Sequence, residues 1–113
     1  MPSIKVSAYA PTPHMQTISP QNVTNLGAGA AQSLLRVNGK GIANVVLRGD
    51  GSGPLQVRIV VDGTTTETYA LTDVAIHTSA FSRSIEIQAY NPGTAAASGT
   101  TPTIDVVIYG TIS

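Results

Sequence analysis

Leu55-Gln56-Val57-Arg58-Ile59-Val60-Val61-Asp62-Gly63-Thr64-Thr65-Thr66-Glu67-Thr68-Tyr69-Ala70-Leu71 contains two β-prone runs joined by an Asp-Gly pair. Asp-Gly favours a type I′ turn, whose two central residues both need positive φ, so the stretch predicts a two-residue hairpin. In the first run Leu55, Val57, Ile59 and Val61 recur every second residue, the period of a half-buried strand. A regular hairpin sets Val61 opposite Thr64 and Arg58 opposite Glu67, a cross-strand ion pair of about 0.2–1 kcal/mol. It also sets Thr64, Thr66, Thr68 and Ala70 against the apolar face. That polar match leaves room for a longer turn, or for a bulge that changes the parity of the second strand.

Outward from this hairpin the same period of two recurs. Strand patterns fall at 4–9, 15–18, 34–37, 42–48, 74–79, 82–90 and 103–112, separated by Gly, Pro and Asn clusters. The segment 26–32 has alanines but is broken by Gly27 and Gly29 and shows no 3.6-residue stripe. About eight short strands without a helical stripe predict an all-β protein: a single-domain antiparallel β-sandwich, jelly-roll-like. Asn38-Gly39-Lys40-Gly41 is expected to be a hairpin turn between two strands, and Asp50-Gly51-Ser52-Gly53 a glycine-rich turn. Residues 1–20 are expected to form an N-terminal arm with the first strand or strands, and 21–113 the sandwich. The predicted core is Val6, Leu35, Val45, Leu47, Val57, Ile59, Ile76, Ile85, Ile87, Val106 and Ile108. In the last strand Ile104, Val106, Ile108 and Ile112 point one way. Asp105, Val107, Tyr109 and Thr111 point the other, so that second face is partly apolar.

The chain has 113 residues, 11% of them charged, no Cys and a formal net charge of zero. One domain fits that length. Without Cys there is no disulfide framework, thiol nucleophile or zinc ribbon. The balance of charge gives no basic stripe for nucleic acid. No apolar run approaches the ~18 residues of a membrane-spanning helix, and the opening residues lack a signal peptide's apolar stretch, so neither nucleic acid nor membrane is expected as a partner. A charge content under half of the ~25% usual for soluble domains leaves a Thr/Ser/Asn/Gln surface that copies of the chain repel only weakly.

Chemistry-bearing constellations are few. Asp73, His77 and Ser79 alternate along one strand, with Val74 and Ile76 expected on the inner face and the polar three on the outer. Alternate residues of a strand lie ~6.6–6.8 Å apart, so Asp73 and His77 stand about twice that distance from each other, too far for an orienting hydrogen bond. Asp50 and Ser52 are too few oxygen donors for calcium. Lys40 among glycines has no P-loop spacing. Trp is absent and Phe81 is the one Phe, while Tyr9, Tyr69, Tyr90 and Tyr109 fall in strands, which disfavours a sugar platform. No catalytic residue, cofactor or metal is expected, and the chain is expected not to be an enzyme.

Three segments carry a resemblance: Val37-Asn38-Gly39-Lys40-Gly41-Ile42, then Val57 to Gly63 after a glycine-rich turn, then Phe81-Ser82-Arg83-Ser84-Ile85-Glu86-Ile87 with a terminal strand ending in Tyr109-Gly110. Residues 34–112 resemble the small β-sandwich structural proteins of tailed bacteriophages: capsid decoration (cement) proteins and small tail- or fibre-associated proteins. The resemblance implies a virion protein, assembled in the host cytoplasm, that stabilises the head by bridging capsid subunits, often as a homotrimer. Its partners would be the major capsid protein or other virion proteins. A tail- or fibre-associated adhesion protein is the alternative, and a carbohydrate-binding module a more distant one. The contact residues expected on this reading are Pro11, Pro13, His14, Asn91, Pro92, Thr100, Pro102, Val107 and Tyr109, drawn from the proline-fenced N-terminal segment, the 91–102 loop and the outer face of the last strand.

Overall fold

The computed structural model describes residues 13–113 and is all-β. The strands are β1 (His14–Ile18), β2 (Asn22–Leu26), β3 (Ala31–Arg48), β4 (Gln56–Val61), β5 (Thr64–Ala70), β6 (Val74–Phe81), β7 (Ser84–Tyr90), β8 (Ala97–Thr100) and β9 (Ile104–Ile112). Every pairing is antiparallel. The predicted strand at 4–9, with core residue Val6 and Tyr9, lies outside the described residues, as does Pro11.

β3 organises the molecule. Its first half pairs with β7 (Ala31↔Tyr90 to Asn38↔Ser84), while its second half pairs with β6 on one edge (Gly41↔Phe81 to Arg48↔Val74) and β9 on the other (Gly39↔Ile112 to Leu47↔Ile104). β3 therefore passes from one sheet into the next. One sheet runs β1-β9-β3-β6 and the other β3-β7-β4-β5, a jelly-roll-like arrangement in two four-stranded layers. The small β2–β8 pair closes the end opposite the crossing.

The expected hairpin at Asn38-Gly39 is not there: the chain does not reverse but continues as one strand through the crossing. The glycines serve a close approach instead. A Cβ on Gly41 would collide with the Tyr109 carbonyl oxygen, and one on Gly110 with the Lys40 carbonyl oxygen. On the other edge the break at Ser82-Arg83 between β6 and β7 lets their shared register follow β3 around the same corner.

The Asp62-Gly63 hairpin forms, with φ of 52° at Asp62 and 84° at Gly63. Val61 stands opposite Thr64, as the turn chemistry dictates. The ion pair expected from it does not form. A bulge between Ile59 and Val60 shifts the register, so Arg58 faces Thr68 and Ile59 faces Glu67. The shift moves Thr66 and Thr68 off the inner face and brings Tyr69 in beside Val57. Arg58 instead lies over the Tyr90 ring, 3.6 Å from its centre.

Between the layers Ala43, Val45, Leu47, Val57, Ile59, Ile85, Ile87, Ile104, Val106 and Ile108 form one buried cluster, extended by Ile18, Val23, Leu55, Leu71 and Phe81. Leu35 is only partly buried against it. Ile76 corrects the sequence reading: it is 70% exposed. Its neighbour His77 pairs with inward-facing Val45, so β6 turns Ala75, His77 and Ser79 inward and Val74 and Ile76 outward. An alternation of residues shows that two faces exist but not which is inner. Here the narrow seam between edge strands β5 and β6 takes the smaller and polar side chains.

Candidate interface on the outer face of the first sheet

The inner residues of β1, β9, β3 and β6 fix what the opposite face presents. Register places Met15 beside Val107, Val107 beside Asn44, Tyr109 beside Ile42, and Val46 between Asp105 and Ile76. Six large hydrophobic residues are exposed among those described, and five sit on this face: Met15, Ile42, Val74, Ile76 and Tyr109, with Val74 80% exposed. Monomeric proteins seldom leave a contiguous apolar patch of this kind in water.

The face is also electrically quiet. Among the described residues its charges are Arg48 and Asp105, joined at 2.6 Å from guanidinium to carboxylate, and Lys40, exposed at the crossing end opposite Thr111. The Thr17 hydroxyl donates to the same carboxylate at 2.7 Å. That hydroxyl first, and Arg48 second, hold the Asp105 carboxyl below its ordinary range.

The other expected contact residues are scattered. Pro13 and His14 are exposed at the start of β1, and Val107 and Tyr109 belong to the apolar face. The 91–102 segment is not the loose loop its length predicts, because residues 97–100 form β8 against β2. Asn91 is buried, donating its side-chain amide to the carbonyls of Leu26 and Ala95, both at 2.8 Å. Pro102 is buried as well. Both are off the surface, whereas Pro92 is exposed and Thr100 half-buried. Sequence reading places Val107 and Tyr109 on this outer face but does not place Met15, Ile42, Val74 and Ile76 there. The signal was present in residues 42–47, where Ile42 and Val46 flank Asn44 and alternate with Ala43, Val45 and Leu47, so the second face of that strand is partly apolar too.

The polar residues of β6 meet partners, though not those of a triad. Ser79 Oγ lies 2.5 Å from His77 Nε2, and His77 Nδ1 lies 3.3 Å from the Tyr69 hydroxyl, with the two rings edge to face across the seam between the sheets. Asp73 instead accepts from the Ala70 backbone N–H at 2.8 Å, closing the β5–β6 turn. Burial pushes the Tyr69 phenol up, with Glu67 and Asp73 adding to it. Among the described residues no carboxylate bonds to the His77 ring to orient it; its nitrogens face Ser79 and Tyr69. Among the described residues no group of three or more His, Asp or Glu side chains could hold a metal ion. No helix among them is long and apolar enough to cross a membrane.

No family model matches the chain, and no curated protein matches it. Among solved structures, the T13 particle of infectious bursal disease virus aligns over 96% of this chain at 17% identity with a TM-score of 0.39. The VP2 subviral particle of that virus aligns over 97% at 16% identity with a TM-score of 0.37. The chain spans 36% and 38% of the length of those proteins. At superpositions this loose, the fold assignment rests on the chain's own strand order and register.

Proposed function

We propose that this chain is a non-enzymatic structural protein of a virus particle, a capsid decoration protein of a tailed bacteriophage that stabilises the head by bridging capsid subunits and works as a homotrimer. The observation that carries an assembling role is the largely apolar, sparsely charged outer face of the β1-β9-β3-β6 sheet. Burying that face against another protein removes Met15, Ile42, Val74, Ile76 and Tyr109 from water at about 25 cal/mol per Å² of apolar surface. Arg48 and Asp105 already neutralise each other, so the contact leaves neither of them unpaired, and Lys40 stays exposed at the crossing end of the face. The phage, decoration and trimer assignments come from the sequence resemblance over residues 34–112.

A decoration protein acts by mass action: it binds the assembled lattice and not its free parts, and so favours the lattice. A trimer engages several sites at once, so each contact can be weak. The test is the copy number of the chain in purified particles, wild type against Ile76→Asp with Tyr109→Asp. Hundreds of copies, falling sharply in the double variant, support the reading. A few to dozens of copies move the protein to the tail, and unchanged occupancy in the double variant removes the proposed face.

A further inference from the structure

The chain has four arginines, and two are accounted for: Arg48 pairs with Asp105, and Arg58 lies over Tyr90. The other two, Arg36 and Arg83, line one cleft at the corner where β3 crosses between sheets, together with Asn38, Asp62, Gly63 and Ser84. Its volume is about 270 Å³. Each guanidinium is steered by a neutral oxygen. Arg36 Nε donates to the Asn38 side-chain oxygen at 3.3 Å, and an Arg83 terminal nitrogen donates to the Asp62 carbonyl at 2.8 Å. Neither guanidinium forms an ion pair among the described residues.

Two carboxylates stand near them, Asp62 in the cleft and Glu86 opposite Arg36 across the β3–β7 pair, and neither is within ion-pair distance of a guanidinium. The Asp62 carboxylate keeps its charge but spends its hydrogen bonds on the backbone N–H groups of Ser82 (3.0 and 3.1 Å), Arg83 (2.7 Å) and Ser84 (3.0 Å) and on the Ser82 hydroxyl (3.0 Å). Lys40 lines the adjoining cleft, so half of the chain's six basic residues gather at this end.

We propose that the Arg36–Arg83 cleft is a carboxylate-binding site that takes an acidic side chain from a partner protein. Only the origin of that partner rests on the assembly reading above. Guanidinium groups have the planar, forked geometry that holds a carboxylate through paired hydrogen bonds, and the Asn38 amide and Ser84 hydroxyl add donors beside them. An acidic peptide is favoured over an acidic polysaccharide because no aromatic ring lines the cleft to stack on a sugar.

The test is fluorescence anisotropy of labelled hexaglutamate with the isolated chain, at about 0.01 M salt, where charge screening extends to ~30 Å. Expected is binding that weakens at least about tenfold in Arg36→Ala with Arg83→Ala but holds in Arg58→Ala. The Arg36→Lys with Arg83→Lys variant keeps both charges and is expected to weaken too because the fork is gone, while a wild-type circular dichroism spectrum in every variant guards against loss of fold. No binding by the wild type, or an equal loss in Arg58→Ala, overturns the proposal. So does binding of oligogalacturonate without hexaglutamate. Because no particle is involved, peptide binding by a chain that fails to load onto particles sustains the cleft while refuting the assembly reading. Loading without peptide binding refutes the cleft alone.

Discussion

Asp62 is the residue with the most demands on it. It takes positive φ in the β4–β5 turn while its carboxylate gathers the N–H groups freed by the β6–β7 break, fastening two loops at one end of the sandwich. The Ser84, Arg83 and Ser82 N–H groups hold its pKa far below the ordinary carboxylate value. Asp50 is held down in the same sense, chiefly by the Thr103 N–H. The folded state therefore binds fewer protons than the unfolded chain. This contribution to stability is complete above the unfolded carboxylate value of about 3.9 and is lost as pH falls towards the folded one. Urea midpoints measured from neutral pH down to about pH 2 are expected to decline below about pH 5 in the wild type and more shallowly in Asp62→Asn. Parallel declines in both would mean that the carboxylate is not what ties the loops. The Asp-Gly turn was legible because two residues dictate it. The Ser82–Ser84 partners of Asp62 were not, since they lie 20 to 22 positions away and meet it only once β3 has turned its corner.

At the scale of strands, the sequence revealed periods but not faces. The alternation at 55–61 and 104–108 was readable because one set of positions is plainly more apolar, and Val57, Ile59, Val106 and Ile108 are buried as expected. In β6 both sets are mixed, and only pairing with β3 shows that His77 turns inward and Ile76 outward. Likewise Asn38-Gly39 carries the residues of a hairpin, yet the pairings on both sides of it hold β3 extended. Ile59→Ala is expected to cost about 2–5 kcal/mol in denaturant unfolding, while Ile76→Asp costs within about 0.5 kcal/mol in a dilute monomer. A large loss in Ile76→Asp would put that side chain inside. The glycines offer a second contrast. A methyl group added at Gly63 meets open space. Gly63→Ala therefore carries only the strain of a left-handed backbone, on the order of 1–2 kcal/mol. Gly41→Ala forces a methyl group into the Tyr109 carbonyl and is expected to cost more than Gly63→Ala in the same assay. The reverse order would mean that β3 and β9 have room to separate at the crossing.

Across the whole molecule the two sheets differ in what they leave exposed. The β3-β7-β4-β5 layer turns Thr-rich β5 outward at its edge, while the β1-β9-β3-β6 layer presents hydrophobic side chains around one internally paired ion pair, with Lys40 at its crossing end. That asymmetry is what the proposed assembling role would use. Sedimentation equilibrium at tens of micromolar, on the wild type and on Ile76→Asp with Tyr109→Asp, tests this most directly. The expected result is a wild-type mass three times the 11.6 kDa of one chain, with the double variant folded and reduced to a single chain. A wild type that sediments as 11.6 kDa, or a double variant that keeps the full assembly, would contradict it.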